Sequence, residues 1–336
     1  MPLRLIEIVV PASAAESTRE LLEQFEAPSH WSAASPEGRV MLRTLMPSEF
    51  TEALLDEIDR RFGRMPGIKI ILSAPEAVVP RNEDQAVEPL GPPASAPGFA
   101  AVRLSRVSRE ELYHDVLDVS GLTGLFCLMV VLSTLVAGIG LLRDNVAIII
   151  GAMVIAPLLG PNVGLSLATA LGDKRLGLRA LRTKLVGLGI ALAISVAWGA
   201  VFAVDPQAPE IFSRTMVGIG DVVLALAAGS AGALAFTGGL SSTLIGVMVA
   251  VALLPPLVTF GLLLANGLFG PAAGAFLLLM TNIICVNLSG VVVFWVQGIR
   301  PRGWRASTRA KSTQQAAMVL WFALLSTVVV LILLGR

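Results

Sequence analysis

The chain has very few of the residues that carry side-chain chemistry. Its 336 residues include two cysteines, two histidines and one tyrosine. Cys127 and Cys285 both lie in apolar runs, too few for a disulfide framework or a zinc site, and a packing role is expected for them. No nucleophile and base can be paired in the apolar segments, so no triad or metal centre is legible. The expectation is that the protein is not an enzyme and uses no cofactor. Charge is scarce as well: Asp, Glu, Lys and Arg make up 15% of the chain and sum to +1. Met1 to Val10 has no basic start followed by an apolar stretch, so a signal peptide is not expected. No Asp, Glu, Lys or His is expected deep in the apolar segments, which counts against carboxylate proton relays and voltage sensing.

What remains is apolar. Hydrophobic residues are 55% of the sequence, with a mean hydropathy of +0.78. Such values lie outside the range of soluble globular domains and imply an integral membrane protein with an N-terminal soluble part.

That soluble part occupies residues 1–80. Leu3 to Val10 alternates and stops at Pro11, as a strand does. Ala14 to Phe25 carries Leu21, Leu22 and Phe25 on one side, an amphipathic helix. Arg39 to Leu45 alternates again. Ser48 then opens a helix to Phe62 with Phe50, Leu54, Leu55, Ile58 and Phe62 facing inward, and Ile68 to Leu72 is a third strand. The order βαβαβ suggests a ferredoxin-like α+β domain, completed by Ala77 to Val79 as a short fourth strand. His30 and Trp31 fall in the first loop and read as turn residues. Mixed charge without a basic patch excludes nucleic acid as a partner.

Residues 81–107 form a linker, since Ser73 to Ala101 contains six prolines. From Ser108 a helix begins, because Ser108-Arg109-Glu110-Glu111 fits a capping box. Residues 108–119 read either as a juxtamembrane helix at the interface or as an extension of the first span.

A spanning helix needs about 20 apolar residues. Seven segments qualify: Gly121–Leu142, Asn145–Leu171, Leu185–Val204, Val217–Phe236, Leu240–Ala265, Ala272–Val296 and Ala316–Leu334. The loops Asp173 to Lys184 and Arg300 to Lys311 each hold five basic residues. They place one side in the cytoplasm, with the N-terminal domain on that side and the C-terminus outside.

The second of these segments is interrupted by Pro157, Gly160 and Pro161. A proline within a helix removes a backbone hydrogen bond, and in hydrocarbon the freed carbonyls must face protein or a cavity. Ile149-Ile150-Gly151-Ala152-Met153-Val154 with Leu158-Leu159-Gly160-Pro161 aligns without gaps on Leu244-Ile245-Gly246-Val247-Met248-Val249 with Leu253-Leu254-Pro255-Pro256. Spans one to three and four to six are therefore expected to be inverted repeats, with span seven added. The substrate site is then expected between the two breaks, at Pro157, Gly160, Pro161 and Asn162 against Pro255, Pro256 and Thr259, with Asn282 nearby on span six. The competing reading is two proline kinks that only shape the bundle. Asn145, Ser241 and Ser242 open spans two and five and read as gate groups or as ordinary caps.

Three stretches together resemble a known family. Ser108-Arg109-Glu110-Glu111-Leu112-Tyr113, the Gly151-to-Pro161 core and Val78-Val79-Pro80 resemble bacterial membrane proteins of the hydrophobic-domain family, domain of unknown function 389. The resemblance implies a prokaryotic plasma-membrane protein with a cytoplasmic α/β domain and a multi-span domain, and brings no activity with it. Where the core motif often has serine before its first proline, this chain has Ala156.

The sequence thus predicts an α-helical polytopic bundle carrying a ferredoxin-like domain. Its expected function is a transporter or channel for a small solute or ion, with the soluble domain as regulator. The alternative is a non-transporting sensor or oligomeric scaffold. The expected partners are the bilayer, that solute or ion, and further copies of the same chain.

Overall fold

The computed structural model describes residues 3–25, 29–35, 38–63, 65–73, 75, 108–238, 253–299 and 304–334. The chain divides into two compact units, Met1–Glu111 and Leu112–Arg336.

In the first unit, β1 (Leu3–Pro11) leads through a short turn to α1 (Ala15–Gln24), followed by β2 (Ser29–Ser35), β3 (Arg39–Pro47), α2 (Ser48–Phe62) and β4 (Lys69–Ser73). The four strands form one antiparallel sheet in the order β2-β3-β1-β4. Two expectations need correction here. His30 and Trp31 lie on a strand, β2, paired to Thr44 and Arg43 of β3, and not in a turn. The fourth strand is Lys69–Ser73, whereas Ala77 to Val79 lies outside the described residues.

Alternation decides which sheet face is covered. Ile6, Ile8 and Val10 of β1 and Leu42 and Met46 of β3 are buried with Leu21 and Leu22 of α1 and Leu54, Ile58 and Phe62 of α2. Each such side chain contributes about 1.5–3 kcal/mol by leaving water. The opposite face is polar where strands cross, with Arg43 Nε 2.7 Å from Glu7 Oε1 on the paired position of β1.

Helix α3 (Arg109–Val119) begins as the sequence predicts, with Ser108 Oγ accepting from the Glu111 backbone N–H at 3.2 Å. The carboxylate of Glu111 does not close a capping box. It accepts instead from Arg4 Nε and Nη2 of β1 at 3.1 and 3.0 Å.

The second unit is helical: α4 (Gly124–Leu142), α5 (Val146–Ile155), α6 (Leu159–Leu171), α7 (Lys174–Val201), the single turn α8 (Pro209–Phe212), α9 (Ile219–Thr237), α10 (Leu254–Ala265), α11 (Phe269–Val296) and α12 (Trp304–Leu334). Among the described residues five helices are long and apolar enough to cross a membrane, or six if α5 and α6 are taken as one bent span. Of the expected fifth span only α10 is described, and Ser241 and Ser242 lie outside the described residues.

Several helix ends are set by short polar side chains. Asp173 Oδ1 accepts from the Arg175 and Leu176 N–H groups at 2.8 and 3.2 Å and starts α7. Asp221 Oδ2 accepts from Gly218 N–H at 2.8 Å at the start of α9. Gly172 ends α6 in the left-handed region, where glycine carries no Cβ penalty. The expected loop from Asp173 to Lys184 is not a loop. It is the first three turns of α7, which runs 28 residues.

Candidate functional site

The chain breaks briefly between α5 and α6. Ala156 is extended (φ −67°, ψ 121°), Pro157 and Leu158 turn, and the axes of α5 and α6 differ by 55°. Pro161 is the third residue of α6, and Pro255 and Pro256 are the second and third residues of α10. In a first turn the backbone N–H groups have no intrahelical partner, so proline loses nothing there. These prolines lie in the first turns of α6 and α10.

The two half-helices occupy related positions, each packed against both α7 and α11. Around their starts, Met153, Ala156 and Leu158 from the break share one buried apolar cluster with Leu253, Leu254, Leu257 and Val258 at the start of α10. Gly160 admits the backbone of α3: a Cβ at that position would overlap the Val119 carbonyl. A recess of about 390 Å³ opens beside the break, lined by Pro157 and Gly160 together with Asp118, Thr123, Phe126 and Phe236.

The polar centre lies one turn further along α6. Asn162 is 1% exposed. Its Oδ1 accepts from Lys184 Nζ at 2.6 Å and from Asn287 Nδ2 at 3.1 Å, while its own Nδ2 donates to the Leu158 carbonyl at 2.6 Å. Ser166 Oγ, one turn on, lies 3.1 Å from the carbonyls of both Asn162 and Asn287. Lys184 is 5% exposed, and among the described residues no carboxylate pairs with it. Three helices (α6, α7 and α11) thus contribute one polar cluster in an apolar surround.

Of the predicted residues, Pro157, Gly160, Pro161 and Asn162 gather at the break, and Pro255, Pro256 and Thr259 lie in the first half of α10. Thr259 is fully buried, and among the described residues its hydroxyl has no hydrogen-bond partner. Asn282 is buried in α11, but Asn287 is the amide of that helix that reaches Asn162. Asn145 is an exposed N-cap whose Oδ1 accepts from Ile148 N–H at 3.1 Å.

Lys184 overturns the expectation that no lysine is deeply placed. The sequence held a signal for it: Leu176, Ala180, Lys184, Gly187, Ala191 and Ser195 recur every three or four residues along the buried face of α7. The row of small residues runs straight through the basic segment.

Outside the spans, Tyr113 Oη donates to Asp173 Oδ2 at 2.9 Å. Burial, then that carboxylate, pushes the phenol above its ordinary value. In the first unit, hydrogen bonds from Arg60 and Arg61 pull the Glu57 carboxyl down to about 2.

A family model described as a domain of unknown function, DUF389, matches residues 153–288. An uncharacterised protein of the archaeon Methanocaldococcus jannaschii is 32% identical over 336 residues, which covers 99% of this chain and 99% of that protein. The chain belongs to the DUF389 family. That relative is archaeal, where the resemblance was to bacterial proteins. The matched DUF389 segment begins in α5 and ends in α11, so it encloses Asn162, Lys184 and Asn287. No solved structure matches the chain.

Proposed function

We propose that this protein is a transporter or channel for a small solute or ion, with its path at the junction of the two half-helices. The observation that carries the reading is the pair α6 and α10: both are short, both have proline in the first turn, both pack between α7 and α11, and α6 begins at a break. Discontinuous helices in inverted repeats are how secondary transporters present helix ends to a substrate within the bilayer. A buried lysine and two buried asparagines beside one of those ends add polar groups that a purely structural bundle does not require.

In this reading spans one to three (α4, α5 with α6, α7) and four to six (α9, the segment ending in α10, α11) are inverted repeats, and α12 is the added seventh span. The strand order β2-β3-β1-β4 supports a ferredoxin-like soluble domain acting as regulator. The four other basic residues at the start of α7, Lys174, Arg175, Arg179 and Arg182, favour a cytoplasmic N-terminal domain and an outer C-terminus in a prokaryotic plasma membrane. Homo-oligomerisation completes the proposal.

One observation favours the second reading, a sensor or scaffold that moves nothing. The cluster around Leu158, Leu254 and Leu257 closes the junction with apolar side chains alone. Thiol accessibility separates the two. With Cys127 and Cys285 replaced by Ala, Thr259→Cys in membranes is expected to react with a membrane-impermeant maleimide, because a path must reach it. Complete protection of Thr259→Cys, with a surface cysteine labelled in the same sample, would support the scaffold.

A further inference from the structure

The geometry points to a small oxyanion that keeps a proton, held by Lys184 and Asn287 beside Asn162, as the class of solute; this rests on the transport reading and makes it specific.

Lys184 Nζ spends one of its three N–H donors on Asn162 Oδ1, a neutral acceptor at 2.6 Å. Among the described residues it has no carboxylate partner. Asn162 is the fourth residue of α6, so the ammonium also stands near the positive end of that half-helix. Two sources of positive potential meet in a buried place without a counter-charge. An anion is the occupant that offsets both.

Asn287 narrows the class. Its Nδ2 donates to Asn162 Oδ1 at 3.1 Å and to the Ile283 carbonyl at 2.7 Å. Both neighbours are acceptors, so turning the amide over would set oxygen against oxygen twice. Its Oδ1 is therefore fixed, buried and without a partner. It calls for a donor, whereas the free N–H groups of Lys184 call for acceptors. An oxyanion that retains an O–H, such as hydrogencarbonate or dihydrogenphosphate, meets both demands. A halide meets only the second demand, and a metal cation only the first.

The site is closed in this conformation. Asn162, Lys184 and Asn287 are all buried. Entry of an oxyanion requires α6 to part from its neighbours.

The test uses the full chain in liposomes at pH 6–7, following hydrogencarbonate, dihydrogenphosphate, chloride and potassium in the same vesicles. Wild type is expected to move an oxyanion above protein-free vesicles. Lys184→Met should lower that flux by about tenfold or more, the factor for one hydrogen bond to a charged group, and Lys184→Arg should retain most of it. Asn287→Leu should lower the oxyanion flux more than any chloride flux. Potassium flux untouched by Lys184→Met, without oxyanion flux, overturns the anion class and leaves the transport reading standing. No flux of any solute from folded protein overturns both. Independently of flux, dihydrogenphosphate should raise the unfolding temperature of detergent-solubilised wild type and not of Lys184→Met. An equal rise in both also overturns the assignment.

Discussion

The Cα of Gly160 faces the carbonyl oxygen of Val119 so closely that no side chain fits between them. The end of α3 is thereby pressed on the first turn of α6, at the break itself. Gly160→Ala must displace backbone and not a flexible side chain, and overpacking of this kind costs about 1–3 kcal/mol. Gly151, in the same motif, has open space where its Cβ would be. Gly151→Ala should be neutral or stabilise by about 0.5–1 kcal/mol through helix propensity. Unfolding temperatures of the two variants in detergent should therefore move in opposite directions.

These two glycines mark how far the sequence could be read. The break was legible because Pro157, Gly160 and Pro161 interrupt an apolar run, a local pattern. Which glycine is essential depends on Val119, 41 residues away from Gly160 in number, and no local pattern carries that. Strand β2 was missed for the opposite reason. Ser-His-Trp-Ser-Ala-Ala-Ser has no apolar alternation, and it is a strand because β3 offers it an edge. Basic charge alone places Lys184 in a loop, although the small-residue row of α7 runs through it.

Tyr113 is the only tyrosine of the chain, so its ionisation can be followed by absorbance without assignment. It should titrate above 10, and Asp173→Asn should bring it down by removing the carboxylate that favours the protonated phenol. Its folded value is raised, so its contribution to stability is present below pH 10 and is lost as pH rises further. Tyr113→Phe should cost about 1 kcal/mol. Asp173→Ala should cost more, because it also removes the cap of α7.

Glu57 gives the first unit an acid dependence. Its folded value lies near 2, below the ordinary 4.5, chiefly through Arg60. A lowered carboxyl contributes stability above pH 4.5 that is lost as pH falls from 4.5 towards 2. The difference in urea midpoint between wild type and Glu57→Gln, measured on the full chain, should be constant above pH 5 and vanish near pH 2. A difference that grows on acidification would contradict the ion pairs seen with Arg60 and Arg61.

The central claim is that the broken second span makes a path. Pro157→Ala removes the residue that holds Ala156 extended, because the residue before proline avoids the helical region. It permits α5 and α6 to join. Radiotracer flux through liposomes carrying wild type or Pro157→Ala, matched for folded protein by gel filtration, tests this directly. The account predicts flux above protein-free vesicles for wild type and its loss in Pro157→Ala. Equal flux in the two would contradict it.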